Sequence, residues 1–253
     1  MAIEIFASTH VGKVRQNNED ALLHLPVAGT EHCSLALVSD GVGGKEYGEV
    51  ASGMTVDIFK SLVTEGKLAI TADVNMRTPM LDMAVRRVHQ DIAAASTKNK
   101  DYSGMACTAV AVIADEHRVG WVNVGDSRLY HFSKGQLQQI TEDQTVARCL
   151  FNEGRISEAE LTNHPDKNTL MYCLGVESVN NPIEPQTGTF DWQPGDILLL
   201  CSDGLTDMVN DEKIAELLTN NIPEGSVAAL IDAALNAGGK DNITIVVVLN
   251  GKD

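Results

Sequence analysis

Apolar and polar positions alternate from Ile3 to Ser8, the pattern of a half-buried strand, and a strand pattern returns at Ala21 to Leu25. The run from Ser34 to Asp40 is short and apolar, which predicts a strand buried on both faces. Then the period changes. Val50, Met54, Ile58 and Leu62 recur every fourth residue and predict a helix with one apolar stripe, closed by Gly66. A second helix is predicted from Pro79 to Thr97, with Leu81, Val85, Val88, Ile92 and Ala95 on one face. The methionines in this region read as core filler.

Three strands follow, over Cys107 to Ala114, Arg118 to Val124 and Ser127 to Phe132. Turns as short as Asp115-Glu116-His117 and Ser133-Lys134-Gly135 predict antiparallel pairing, because parallel strands need long crossovers. Residues 141–174 are mixed in pattern, with helices expected over Gln144 to Gly154 and Ser157 to Leu161, and read as a surface flap. Strands are expected again near Ile183 to Phe190 and Asp196 to Cys201, helices over Asp211 to Thr219 and Pro223 to Ala237, and a last strand over Ile243 to Leu249. Strands cluster and helices come in pairs, so the pattern predicts helix pairs packed on antiparallel sheets rather than alternating βαβ units. One domain spanning residues 1–253 is the expectation.

Composition narrows the function classes. At 253 residues and 43% apolar, the chain can build its own core. No apolar run is long enough for a membrane span, and the N-terminus lacks a secretory pattern, so no membrane role is expected. Five scattered cysteines without a C-x-x-C pair indicate neither zinc nor disulfides and suggest the cytoplasm. A net charge of −16 argues against nucleic acid as a partner.

Candidate chemistry lies where apolar runs end on acid. Leu35-Ala36-Leu37-Val38-Ser39-Asp40-Gly41 and Ile197-Leu198-Leu199-Leu200-Cys201-Ser202-Asp203-Gly204 share one design: apolar strand, Ser, Asp, Gly. Asp241, in Gly238-Gly239-Lys240-Asp241-Asn242, begins a strand instead. Antiparallel topology can place one strand's end beside another's start, so the three carboxylates can share one edge. Crowded carboxylates repel and resist ionising unless cations join them. Oxygen donors without His or Cys point to Mg²⁺ or Mn²⁺. A pair of such ions can activate a water between them for in-line attack on phosphorus. Arg15, just before Glu19-Asp20, has the forked geometry to grip a phosphate.

These residues resemble the metal-dependent type 2C serine/threonine protein phosphatases. The resemblance rests on motifs in order along nearly the whole chain. They are Arg15-Gln16-Asn17-Asn18-Glu19-Asp20, Ser39-Asp40-Gly41-Val42-Gly43-Gly44, Gly104-Met105-Ala106-Cys107-Thr108-Ala109, Val124-Gly125-Asp126-Ser127-Arg128, Ser202-Asp203-Gly204-Leu205 and Asp241-Asn242-Ile243-Thr244. The bacterial single-domain form of the family is the nearest match. It implies an α+β, four-layer α-β-β-α sandwich of two antiparallel sheets with a helix pair on each outer side. It implies that Asp40 bridges two metals, that the Gly41 carbonyl binds one of them and that Asp203 and Asp241 hold the other. Glu19, Asp20 and Asp126 would act mainly through waters, and Asp101 would complete a weaker third site with Asp203. Arg15 would hold the substrate phosphate, with Asn242 beside it.

The implied activity is hydrolysis of phosphoserine or phosphothreonine on proteins by a metal-bridging hydroxide. The implied partners are phosphoproteins and a cognate Ser/Thr kinase, and the implied state is a monomer. Two departures stand out: Val42 occupies a position where animal members carry an acidic His, and Cys107 replaces a Thr or Gly. His164 is expected to be structural. The alternatives are a non-catalytic binder and a regulator that dephosphorylates a single anti-sigma antagonist.

Overall fold

The computed structural model describes residues 3–27, 33–42, 47–64, 74–176 and 182–251. Gly66 and the glycine pair Gly43-Gly44, named above, lie outside them. Among the described residues, ten strands form two five-stranded sheets, antiparallel at every pairing. One sheet runs β2 (Ala21–Pro26), β3 (Ser34–Ser39), β4 (Ala109–Ala114), β5 (Arg118–Val124) and β8 (Gln186–Asp191). The other runs β1 (Ile3–His10), β10 (Ile243–Asn250), β9 (Ile197–Cys201), β6 (Arg128–Ser133) and β7 (Gln136–Gln139).

Helices α1 (Gly48–Thr64) and α2 (Arg77–Lys98) cover the first sheet. The short α5 (Asp203–Thr206), with α6 (Asp211–Asn220) and α7 (Pro223–Asn236), covers the second. The remaining helices, α3 (Val146–Asn152) and α4 (Glu158–Asn163), belong to the 141–174 excursion.

The two-residue period of the strands explains the layering. In β3, Leu35 and Leu37 face α1 and α2, while Ala36 and Val38 face the other sheet. In β9, Leu199 and Cys201 face the helices, and Leu198 and Leu200 meet the first sheet. Both faces are therefore apolar, which is why these strands read as continuous runs.

Three expectations needed correction. The apolar stripe of α1 is displaced by one residue: Ala51, Ser52, Thr55, Phe59 and Val63 are its buried face, and Val50, Met54, Ile58 and Leu62 only flank it. Ser52 and Thr55 go inside because their hydroxyls have partners there, the Glu19 carbonyl at 2.6 Å and the Cys107 thiol at 3.1 Å.

Secondly, β6 does not pair with β5. It crosses to the other sheet and pairs with β7 and β9. Gly125 makes the crossing possible, with φ at +106° and no room for a side chain beside Thr108. Strand β7 itself was not foreseen, since Gln136–Gln139 carries one apolar residue.

Finally, residues 141–174 are exposed only in the middle. Thr141, Gln144, Thr145, Ala147 and Leu174 are buried, and Leu174 exchanges both backbone hydrogen bonds with Cys107.

Candidate functional site

The strand registers bring the acidic residues to one end of the sandwich. Ala21, at the start of β2, faces Ser39, at the end of β3. Ala109 faces Val124, Arg128 faces Cys201, and Cys201 faces Ile245. Asp20, Asp40, Asp126, Asp203 and Asp241 flank these positions, so carboxylates from both sheets share one end. The expected convergence of Asp40, Asp203 and Asp241 is what the topology produces.

Burial and mutual repulsion mark this end electrostatically. The Asp40 carboxyl is held well above its ordinary pKa, first by burial and then by the charges of Asp20, Asp203, Asp126 and Asp241. Asp203 is raised in the same way by burial and by Asp126, Asp241, Asp207 and Asp20. Burial also raises Asp20, against hydrogen bonds that oppose it, and raises Glu19 and Asp126, the last to about 7 with the charge of Asp143 as the next cause.

Hydroxyls hold the carboxylates in place. Ser202 donates to Asp20 Oδ2 at 2.7 Å and accepts the Thr244 N–H at 3.0 Å. The Asp40 N–H donates to Thr108 Oγ1 at 3.0 Å, which lies 2.7 Å from Ser127 Oγ, and Ser39 Oγ donates to the Thr108 carbonyl at 2.7 Å. Asp40 is thereby tied to the loop that carries Asp126. Gly204 packs so closely on the chain before β10 that a Cβ would sit 1.8 Å from the Asn242 carbonyl oxygen. Asp203 and Asp241 are therefore set on touching backbones.

Asn242 has a different task from the one expected. It is buried, and its amide donates to the carbonyls of Val11 and Asn17 while its oxygen accepts the Glu19 N–H, at 2.9, 2.9 and 2.8 Å. Both amide donations go to backbone, so it clasps the 11–19 loop. Arg15, on that loop, is partly exposed and donates to Asp241 Oδ2 at 2.7 Å. Asp101 stands on an exposed turn and is not among the leading charges acting on Asp203 or Asp126. The Gly41 N–H donates to the Glu19 carbonyl at 3.1 Å. Val42 brings no proton donor beyond its backbone. The His164 ring accepts the Asp166 N–H at 3.1 Å at the end of α4, a local structural bond.

The donor set suits hard divalent cations. It is all oxygen, and Asp20 Oδ1 is buried without a hydrogen-bond partner. Among the described residues no three His, Cys, Asp or Glu side chains close on one point as the shell of a single ion. The carboxylates share an end and repel one another, which divalent cations would relieve.

The Ser202, Thr108 and Ser127 network had a sequence signal, since each belongs to a motif quoted above. A cleft of mixed charge beside the carboxylates had none. It holds about 240 Å³ between Asp126, Asp203 and the 141–174 excursion, with Arg128, Arg148 and Lys167 in its walls.

A helix-clad pair of antiparallel sheets with an acidic, oxygen-rich end is the class of protein this fold and site define. The family model described as protein phosphatase 2C matches residues 9–236, and the chain belongs to that family. It is 38% identical over 249 residues to the serine/threonine protein phosphatase PstP of Mycobacterium tuberculosis, covering 98% of this chain and 45% of that protein. It is 36% identical to the serine/threonine phosphatase stp of Listeria monocytogenes, covering 95% of this chain and 93% of that one. The chain thus spans less than half the length of the mycobacterial relative and nearly all of the listerial one. The solved catalytic domain of PstP in complex with two manganese ions superposes with a TM-score of 0.81 at 35% identity, over 98% of this chain and 97% of that one.

Proposed function

We propose that this chain is a protein serine/threonine phosphatase that depends on Mg²⁺ or Mn²⁺. The observation that carries the reading is the crowd of carboxylates on one end of the sandwich, of which Asp20, Asp40, Asp126 and Asp203 are raised first by burial and then by like charges around them. Asp40, Asp203 and Asp241, with the Gly41 carbonyl, are the residues that would hold two ions, and Glu19, Asp20 and Asp126 would orient that shell. Asp101 with Asp203 is proposed as a weaker third position. The manganese pair in the PstP catalytic domain supports the count of two. When bound, such ions supply the charge that lets the carboxylates ionise and the Lewis acidity that phosphoester hydrolysis needs.

The chain's own residues do the rest. Arg15 sits at the mouth of the site with one Nη on Asp241, leaving the rest of its fork to receive phosphate oxygens. Asn242 fixes the loop that carries Arg15 and Glu19. Thr108 and Ser127 hold Asp40 at a fixed depth.

The substrates are phosphoproteins made by a Ser/Thr kinase, which the enzyme meets as a monomer in the cytoplasm. The five scattered cysteines, with no C-x-x-C pair among them, support that setting. Residues 1–253 act as one catalytic domain, with 141–174 forming the wall beside the bound phosphoprotein. Purified protein is expected to release phosphate from a phosphothreonine peptide with Mn²⁺ and to stop when the metal is chelated. Turnover that survives full chelation overturns the reading.

A further inference from the structure

The cleft beside the carboxylates contains one cation without a counter-charge. Arg128 is spent: its guanidinium forks onto Asp143 at 2.7 and 2.8 Å. Lys167 reaches Asp207 at 3.3 Å, and Asn168 donates to the same carboxylate at 2.6 Å, so the excursion is strapped to the end of α5. Arg148 is not spent. Its guanidinium carbon lies 5.4 Å from the centre of the Phe151 ring, and its Nε is buried without a hydrogen-bond partner. Among the described residues its side chain meets no carboxylate. A half-buried guanidinium with unmade hydrogen bonds is costly unless an anion visits it. Its planar fork suits a phosphoryl or carboxylate group.

We propose that Arg148 and this cleft form a second anion subsite. It would take a phosphoryl or carboxylate group carried by the same phosphoprotein, close in sequence to the residue being dephosphorylated. The inference rests on reading the chain as a protein phosphatase, and it goes further by naming the substrate class: multiply phosphorylated or acid-flanked segments. The geometry is suited to this. The cleft shares Asp126 and Asp203 with the catalytic end, so one peptide can present a phosphate to the carboxylates and a second anion to Arg148. Asp143 and Asp207, the other acids in its wall, are already neutralised by Arg128 and Lys167. Arg148 itself makes no ion pair among the described residues, so a second anion can meet a cation that no carboxylate of the wall already holds.

The test compares three phosphothreonine peptides on the Mn²⁺-loaded enzyme: neutral flanks, glutamate flanks, and a neighbouring phosphoserine. The two acidic peptides separate a carboxylate occupant from a phosphoryl one. Wild type is expected to favour at least one of them over the neutral peptide by roughly tenfold in kcat/KM, the worth of a charged hydrogen bond. Arg148→Gln should erase that preference, and Arg148→Lys should restore part of it. The loss on the favoured peptide should exceed any loss on p-nitrophenyl phosphate by the same factor. Equal turnover of all three peptides by wild type overturns the proposal. So does a uniform loss in Arg148→Gln.

Fluorescence anisotropy with the glutamate-flanked and phosphoserine-flanked peptides, each lacking the scissile phosphate, reads the subsite without catalysis. Tighter binding of one of them to wild type than to Arg148→Gln supports the subsite, and equal binding of both counts against it. Failure of wild type to turn over p-nitrophenyl phosphate would fall on the proposed activity, and the binding arm would still decide the subsite.

Discussion

Asp40 and Asp115 close neighbouring strands of one sheet, at opposite ends, and the protein treats them in opposite ways. Asp115 follows β4, and its oxygens are met by the buried Arg77 guanidinium and by the N–H groups of His117 and Arg118, at 2.8 Å each. Burial alone would raise its pKa, but these partners outweigh it and hold the carboxyl below its usual range. Asp40 follows β3, where burial first and then the acids around it push its pKa up. A carboxylate that stabilises the fold is supplied with donors from its own chain. The carboxylates at the acidic end share too few, and in the proposed reading cations from solution supply the rest.

That contrast can be tested by removing one member from each end. Asp203→Asn is expected to lower Mn²⁺-dependent turnover by about 100-fold or more, since residues merely supporting a metal ligand already cost 10–100-fold. It should also raise the thermal midpoint of the metal-free protein, because it deletes a repelling charge. A variant with near-normal turnover would remove Asp203 from the site.

Asp115→Ala should do the reverse. It leaves Arg77 buried and unpaired, and is expected to cost about 2–3 kcal/mol in chemical denaturation, below the full cost of breaking a buried pair because Asp115 is partly exposed. Turnover should change less than about twofold, a small effect beside the catalytic loss above. A large catalytic loss at unchanged stability would dissolve the distinction.

The smallest effect is on pH. Groups raised on folding bind more protons in the native state than in the unfolded chain. The stability they confer is therefore present in acid and lost as pH climbs through their raised values. Metal-free protein should melt at a lower temperature at pH 8 than near pH 5.5, by a few degrees. Mn²⁺ should raise the midpoint more at pH 8. Asp115, being lowered, weakens the fold only at more acidic pH, where its carboxylate takes up a proton. A midpoint that rises steadily with pH in metal-free protein would contradict the crowding.

The sequence showed which residues form the acidic end but not how they are held. Asp40 and Asp203 were legible because an apolar run stopping at Ser-Asp-Gly is a local signal, and antiparallel pairing follows from short turns. Their partners were less legible. Ser52 and Thr55 drew no notice because helix periodicity counts apolar residues, yet they lie on α1's buried face. The passage of the chain from β5 to β6 looked like a hairpin, because a tight link says nothing about which sheet comes next. Arg77 and Arg148 carried no pattern at all. Each is defined by what packs around it from segments distant in sequence, Asp115 and Cys33 for one and the cleft wall for the other.

The clasp made by Asn242 has a consequence for how the enzyme is born. Residues 11 to 19 leave the ribosome early, and the side chain that fastens them is more than 220 positions further along. Strand β1 likewise waits for β10 before it has a neighbour in its sheet. A nascent chain can assemble the first sheet with α1 and α2, but the loop that presents Arg15 stays untethered until translation has passed Asn242. On the proposed function, activity should therefore be withheld from incomplete chains, and a truncation that removes β10 should silence it even though Arg15, Asp40 and Asp203 are all still present.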